Sequence, residues 1–154
     1  MKNLYRLLIV VPFLFSCTKR QYTGPKLHVE YNESGALIEV LPDDMFERAF
    51  TNKIDSIYYI GDDSCTACQK LKPQLNAWCE VNHGAIYYIP LNTITDENEH
   101  YIVDSTVGYY CWEDKKVVPT VYFFMQGEVI LGGDSSNTMK FLIEKVEVNT
   151  GDLS

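Results

Sequence analysis

The sequence has 154 residues, which is enough for one compact domain and little more. Hydrophobic residues make up 46% of the chain, which supplies a packed core and excludes global disorder. The formal net charge is -8 and the lysines and arginines form no basic run, which excludes a nucleic-acid-binding role, because a phosphate-binding surface needs clustered positive charge.

The N-terminal residues 1–16 differ in composition from the rest of the chain. Two basic residues precede an apolar block, Leu7–Phe15, which is too short to span a bilayer as a helix, since that takes about 20 residues. This pattern, followed by a small residue, is typical of an export signal. The segment Leu14-Phe15-Ser16-Cys17 resembles the lipobox of bacterial lipoproteins. The resemblance implies that residues 1–16 are a cleaved signal peptide and that Cys17 becomes the lipidated N-terminus. Ordinary secretion and an uncleaved anchor are the alternatives.

Residues 17–26 are interpreted as the lipidated cysteine and a short polar tether, and residues 27–154 as one folded domain. Such an anchor implies a location in a bacterial cell envelope, attached to a membrane and facing the periplasm or the exterior. Disulfides can form in that compartment. The cysteines of the folded domain are Cys65, Cys68, Cys79 and Cys111.

The first predicted elements are a hairpin, a helix and a strand. Leu27–Tyr31 and Ala36–Val40 flank the turn Asn32–Gly35, which predicts an N-terminal hairpin that adds an extra strand. A helix is expected to start at Pro42. Ser56–Ile60 is a run of β-branched and aromatic residues, typical of a buried strand.

In the second half of the chain, predicted helices and strands alternate until two consecutive strands form a hairpin near the end. The remaining predicted elements are a helix from about Cys65 to Val81, a strand over Ala85–Leu91, a helix over Asp96–Val107, strands over Val117–Met125 and Glu128–Leu131, and a helix over Asn137–Val148. Alternating strands and helices followed by an antiparallel hairpin predict an α/β domain with a mixed sheet.

Two cysteines stand at the start of the long predicted helix. Cys65 would lie at the helix N-terminus, where unpaired backbone N–H groups and the helix dipole favour the thiolate. Cys68, one turn later, lies on the same face and can attack a mixed disulfide formed at Cys65. The spacing therefore indicates a redox couple in which Cys65 is the nucleophile and the more buried Cys68 resolves.

The same spacing also occurs in zinc sites, which need two further ligands. Cys79 and His83 share one face of the predicted helix, but they lie roughly 16 Å along it from Cys68. One tetrahedral ion cannot contact both pairs from a straight helix. We therefore expect no metal site.

Further residues place the cysteine pair in a family context. Pro73 follows Cys68 by five positions inside the predicted helix. Val118-Pro119-Thr120 opens a late predicted strand, which continues through a turn into Gly127-Glu128-Val129. A strand leading to C-x-x-C, a proline five residues on, and a V-P-T strand with its hairpin resemble the thioredoxin family. The resemblance covers about residues 36–148 and implies a three-layer α/β/α fold with a mixed central sheet.

The resemblance also implies roles for residues around the pair. In that family the proline before the late strand is cis and packs beside the cysteines. Pro119 would therefore shape the docking surface, the backbone of Val118 would meet an extended substrate segment, and Thr66 and Ala67 would contact substrate. The redox-active disulfide is the only cofactor expected, since no Gly-x-Gly-x-x-Gly run indicates a flavin or nicotinamide site.

The sequence departs from the family pattern close to the cysteines. Ser64 stands where thioredoxins have tryptophan, and Thr66-Ala67 replaces their Gly-Pro pair. Tyr59 takes the place of their buried aspartate. We therefore expect a proton acceptor for the second cysteine, if there is one, to be Asp62 or Asp63 acting through water.

The charges before the first cysteine bear on its redox potential. Asp62 and Asp63 oppose formation of the Cys65 thiolate, whereas the helix N-terminus favours it. Surface charges at such distances are worth about 1 kcal/mol or less each. We expect a potential nearer the reducing end, about -270 mV, than the oxidising end, about -120 mV.

The two remaining domain cysteines have three interpretations. Cys79 and Cys111 are buried thiols that fill core space, a structural disulfide, or a second redox pair that relays electrons. The sequence does not give the Cα separation that decides between them.

The function expected from the sequence is a membrane-anchored thiol–disulfide oxidoreductase acting on cysteines of exported proteins, on the reducing side. A thiol protein would supply its electrons, and the domain is expected to be a monomer. One alternative is a redox-inactive thioredoxin-fold accessory or binding lipoprotein, which the missing aspartate permits. Another is a copper-binding thioredoxin-like protein, although those usually place three residues between their cysteines.

Overall fold

A computed structural model describes residues 22–95, 97, 118–133 and 137–151, and their strands form two sheets. The elements, in chain order, are β1 (Leu27–Glu30), β2 (Ile38–Glu39), α1 (Pro42–Met45) continued by a π-helical segment (Phe46–Thr51), β3 (Ser56–Gly61), α2 (Thr66–Asn82), β4 (Tyr87–Pro90), a 3-10 turn (Leu91–Thr93), β5 (Thr120–Met125), β6 (Glu128–Gly133), α3 (Thr138–Lys145) and β7 (Val146–Asn149).

The larger sheet is mixed, with five strands in the order β2-β4-β3-β5-β6. Strands β2 and β3 run parallel to β4, whereas β5 runs antiparallel to both β3 and β6. Every residue of β3 is buried, because a central strand covered on both faces has no side turned to solvent. Gln126 and Gly127 join β5 to β6 with φ of 52° and 88°, the conformation that suits a two-residue hairpin. The predicted α/β class with a mixed central sheet is confirmed.

Helices cover both faces of the larger sheet, which gives three layers. The core on one face includes Leu75 of α2, Phe141 of α3 and Tyr59 of β3. The core on the other face includes Met45 of α1 and Tyr58 of β3. Neighbouring residues of a strand point to opposite faces, so the two adjacent tyrosines belong to different cores.

The N-terminal segment supplies the expected extra strand but not the expected hairpin. Strand β1 pairs in parallel with β7, with Leu27 opposite Val146, whereas β2 joins the edge of the larger sheet beside β4. The turn between them is formed: the Asn32 side chain accepts a hydrogen bond from the Ser34 N–H (3.1 Å) and donates one to the Ala36 carbonyl (2.6 Å). The hairpin prediction was wrong because turn residues set the bend of the chain and not the partner of each strand.

The C-terminal helix is shorter than predicted. Helix α3 ends at Lys145, and Val146–Asn149 forms β7 instead of a last helical turn. In this segment half-buried valines alternate with exposed polar residues, a period of two that favours a strand once β1 is there to pair with it. Asn137 occupies the N-cap position without a capping hydrogen bond from its side chain. The helix predicted over Asp96–Val107 lies outside the described residues except for position 97.

Candidate active site

The two cysteines of the C-x-x-C pair lie at the N-terminus of α2, directly after the end of β3. Cys65 is the N-cap residue, with an extended backbone (φ -81°, ψ 119°), and its sulfur accepts a hydrogen bond from the Cys68 N–H at 3.2 Å. Cys65 is half-buried, whereas only 2% of Cys68 is exposed. The first turn of the helix thus carries one accessible cysteine and one buried cysteine.

Hydrogen bonds at the helix start lower the pKa of Cys65. Among these hydrogen bonds, the one from the Cys68 side chain has the largest effect, and those from the backbone N–H groups of Cys68 and Ala67 are smaller than the opposing effect of burial. Burial and the negative charge of Asp62 act in the opposite sense. Donors that favour the thiolate outweigh these opposing effects, so Cys65 is the more acidic thiol of the pair.

The second cysteine has the opposite character. Burial raises the pKa of Cys68 to about 11, although the N–H of Asp62, 3.5 Å from the sulfur, lowers it in part. Cys68 is therefore a thiol at neutral pH. The pair combines an acidic, accessible sulfur with a buried, protonated one.

The two residues that precede β5, Val118 and Pro119, lie beside the first cysteine of the pair. The Cys65 thiol donates a hydrogen bond to the Val118 carbonyl at 3.5 Å, and the peptide bond between Val118 and Pro119 is cis. Pairing of Ile60 with Thr120 across β3 and β5 brings these distant segments together. Val118 is half-buried and Pro119 is buried.

Thr66 and Ala67 are the first two residues of α2, and both are exposed. They follow the half-buried Cys65 directly in the chain. The four residues that the sequence groups with the cysteines, Val118, Pro119, Thr66 and Ala67, therefore all lie around the helix start.

The carboxylates of the two acidic residues before Cys65 both accept hydrogen bonds from neighbouring groups. The Asp62 carboxylate accepts bonds from the hydroxyl (2.6 Å) and the N–H (2.8 Å) of Ser64, and these bonds lower its pKa. Asp63 pairs with the Lys72 ammonium at 3.0 Å, which lowers the Asp63 pKa, and accepts a bond from the Tyr88 hydroxyl at 3.2 Å. Lys72 also lies over the Tyr88 ring, 4.3 Å from its centre.

Tyr59, which stands where thioredoxins have a buried aspartate, makes contacts that were not predicted from the sequence. The side chain is fully buried, its ring stacks on Tyr88 with centres 5.0 Å apart, and its hydroxyl lies 3.4 Å from the Cys68 carbonyl oxygen. The sequence signal was partial: Tyr58-Tyr59 and Tyr87-Tyr88 stand in two predicted strands, but only the structure shows that Tyr59 and Tyr88 are in register across β3 and β4. A stacked tyrosine pair on the α2 face of the sheet would place a hydroxyl beside the helix start.

The other cysteines lie apart from the pair. Cys79 is a fully buried free thiol in α2, and burial raises its pKa to about 11. Cys17 and Cys111 lie outside the described residues, so lipidation of Cys17 and the state of the pair Cys79 and Cys111 remain predictions. Within the described ranges, no cluster of three His, Cys, Asp or Glu side chains is arranged to hold a metal ion, and no helix is long and apolar enough to cross a bilayer.

Comparisons with known proteins identify the fold. Thioredoxin O1 from Arabidopsis thaliana superposes with a TM-score of 0.53 at 16% identity, over 71% of this chain and 96% of that one. A thioredoxin from Aeropyrum pernix gives 0.51 at 18% identity, over 73% and 84%. A mutant thioredoxin from Halobacterium salinarum NRC-1 gives 0.50 at 21% identity, over 71% and 89%. No family model and no curated protein matches the sequence. The chain has the thioredoxin fold, as its sequence predicted.

Proposed function

We propose that this protein is a thiol–disulfide oxidoreductase that reduces disulfides in exported proteins. The observation that carries the proposal is the asymmetry of the cysteine pair. Cys65 is half-buried, with its pKa lowered at the helix N-terminus, whereas Cys68 is buried and protonated. An accessible thiolate beside a protected thiol is what a two-step exchange requires.

The exchange uses each sulfur once. The Cys65 thiolate attacks one sulfur of a substrate disulfide, the substrate S–S bond breaks, and the departing sulfur takes up a proton. Cys68 then loses its proton and attacks the Cys65 sulfur, which releases the second substrate thiol and leaves a Cys65–Cys68 disulfide. A reduced thiol protein returns the pair to the dithiol by the reverse exchange.

The residues around Cys65 are proposed to receive an extended substrate segment. The Val118 carbonyl, 3.5 Å from the Cys65 sulfur, is an acceptor for a substrate backbone N–H. Because Pro119 has no backbone N–H, the Val118 carbonyl is the one hydrogen-bonding group of this peptide bond. Thr66 and Ala67, which follow Cys65 at the helix start, are exposed and are proposed to contact the same substrate segment.

The location proposed for this activity rests on the N-terminal sequence. Residues 1–16 and Cys17 would direct export and lipidation, and residues 17–26 would tether the domain to a bacterial membrane. Full-length protein and a Cys17→Ser variant, expressed in a bacterium with a labelled fatty acid, test the anchor. We expect label on the wild type only, and equal label on both would contradict lipidation at Cys17.

Turnover of a peptide disulfide, with dithiothreitol as the electron source, tests the activity itself. The wild type should accelerate reduction, and Cys65→Ser should abolish the acceleration. Cys79→Ala is the comparison variant, since it removes a buried thiol of the same helix outside the C-x-x-C pair. It should keep the wild-type rate if Cys79 only fills core space. Equal rates for wild type and Cys65→Ser would contradict the proposal.

A further inference from the structure

The buried cysteine presents a physical problem that the proposed function leaves open. To attack a mixed disulfide, Cys68 must lose its proton while 98% of its surface is covered. A thiolate formed there needs hydrogen-bond donors, because burial disfavours the charged form. Among the described residues, the groups with the largest effects on the pKa of this sulfur are the Asp62 N–H, Cys65 and Tyr59. No carboxylate is among them.

Tyr59 reaches Cys68 from the strand below the helix. Its hydroxyl is 3.4 Å from the Cys68 carbonyl oxygen, well beyond the usual 2.7–2.8 Å for an O–H donor. This long bond costs little to give up, and a hydroxyl hydrogen rotates to suit its acceptor. The structure records this hydroxyl's hydrogen bond to the carbonyl oxygen and not to the sulfur, yet the Tyr59 side chain already acts to lower the pKa of Cys68.

The surroundings keep this hydroxyl in place. The Tyr59 ring is fully buried and stacked on Tyr88. A Cβ placed on Gly61 would lie 2.5 Å from the Tyr59 hydroxyl oxygen, so the absence of a side chain there leaves the space that the hydroxyl fills. The Tyr59 hydroxyl can therefore occupy its position only because residue 61 is a glycine.

We propose that Tyr59 is a positioning residue for the second step of the exchange, in which its hydroxyl donates a hydrogen bond to the Cys68 sulfur as that thiol ionises. This inference rests on the proposed oxidoreductase function. Burial raises the pKa of Tyr59 itself, so the residue stays protonated and acts as a donor, not as a base.

The electrons and protons of this step balance without a further reagent. The Cys68 thiol gives up its proton, its sulfur forms the bond to the Cys65 sulfur, and the bond from Cys65 to the substrate breaks. The departing substrate sulfur takes the electron pair and, in the end, a proton. Tyr59 retains its own proton throughout and lowers only the free energy of the charged sulfur.

Removal of the hydroxyl should slow the second step alone. In Tyr59→Phe the ring stack is kept and one hydrogen bond to the thiolate is lost. A hydrogen bond to a charged group is strong enough to change a rate about tenfold or more. At pH 7 the reduced protein carries Cys68 as a thiol, so the redox potential should stay at its wild-type value.

The experiment follows both steps with one reagent. Reduced full-length protein in detergent is mixed with 5,5′-dithiobis(2-nitrobenzoate), which releases one coloured thiolate when Cys65 attacks and a second when Cys68 resolves. Cys68→Ser identifies the second phase by removing it. Tyr58→Phe is the matched control, because it removes the same atom from the neighbouring residue on the opposite face of β3.

In Tyr59→Phe we expect the second phase to be about tenfold slower and its pH profile to move to higher pH, with the first phase unchanged. Tyr58→Phe should match the wild type in both phases. Gly61→Ala, which pushes the hydroxyl aside, should slow the second phase as well.

A second phase in Tyr59→Phe as fast as in the wild type would overturn the inference, as would equal slowing of both phases. A wild type without a second phase would instead overturn the proposed function on which the inference rests.

Discussion

The Cys65 sulfur lies 3.5 Å from the carbonyl oxygen of Val118, a residue 53 positions later in the chain. The antiparallel pairing of β5 with β3 produces this contact, since it sets the start of β5 beside the end of β3, from which the chain turns into α2. Cys65 at the N-terminus of α2 and the proposed substrate acceptor Val118, just before β5, are thereby held together by two paired strands of one sheet.

If the proposed exchange takes place, Cys68→Ser should trap the protein on its substrate. Cys65 keeps its lowered pKa and still attacks, but no second thiol releases the mixed disulfide. Non-reducing gels of bacteria that express the variant should therefore show covalent complexes, which disappear on reduction. The double variant Cys65→Ser, Cys68→Ser is the control, and complexes that persist in it would point to another cysteine as the nucleophile.

Asp62→Asn should make Cys65 more acidic. The Asp62 carboxylate is a negative charge that raises the pKa of Cys65, and the amide keeps an oxygen for the hydrogen bonds from Ser64. Alkylation of Cys65 near pH 7 should be faster, by less than about tenfold because solvent screens the charge. Asp63→Asn, whose carboxylate is paired with Lys72, should change the rate less. The reverse order would show that Asp62 does not act on Cys65.

The reduced protein should lose stability at alkaline pH. Burial raises the pKa of Cys68 and Cys79 to about 11 from an ordinary value of 9.0, so the folded chain holds these protons more tightly than the unfolded chain. The stabilisation is complete below about pH 9 and is lost as the pH rises through about 11, with each thiol contributing on the order of 1 kcal/mol.

Urea unfolding at pH 8 and at pH 10.5, with reductant present, measures this loss. Cys79→Ala should reduce the difference between the two values, because one of the two buried thiols is gone. A difference that does not change in Cys79→Ala would contradict the contribution assigned to that thiol.

The tyrosine on the opposite face of β3 gives a stability prediction of its own. The hydroxyl of Tyr58 is buried and has no hydrogen-bond partner among the described residues. An unpaired buried polar group costs about 1–3 kcal/mol, so Tyr58→Phe should leave the free energy of unfolding equal or raise it by about 1 kcal/mol. Urea denaturation checks this value, and a clear loss of stability would show that the hydroxyl is paired.

Local patterns along the chain predicted most of the fold. The strand at Ser56, the helix after Cys65 and the hairpin at Gln126-Gly127 each follow from residue type and spacing, and the structure has all three. The partner of β1 was not predictable in this way, because a parallel pairing with β7 joins the two ends of the domain. Local sequence carries no signal for such distant pairing.

The sequence also predicted part of the candidate site, namely its cysteine pair. The pair Cys65 and Cys68 is recognisable from spacing, because the chemistry depends on one turn of one helix. The place of Tyr59 beside Cys68 was not recognised, since it depends on which face of β3 meets α2. That choice is made by packing of the whole sheet and is not encoded in the C-x-x-C motif.

A redox titration of the protein tests the central claim most directly. Glutathione or dithiothreitol buffers would set the potential, and alkylation of Cys65 and Cys68, read by mass spectrometry, would report their state. We predict one reversible two-electron couple that joins the two sulfurs, with a potential nearer about -270 mV than about -120 mV. The absence of a reversible couple between Cys65 and Cys68 would contradict the proposed exchange, and a potential above roughly -170 mV would contradict its reducing direction.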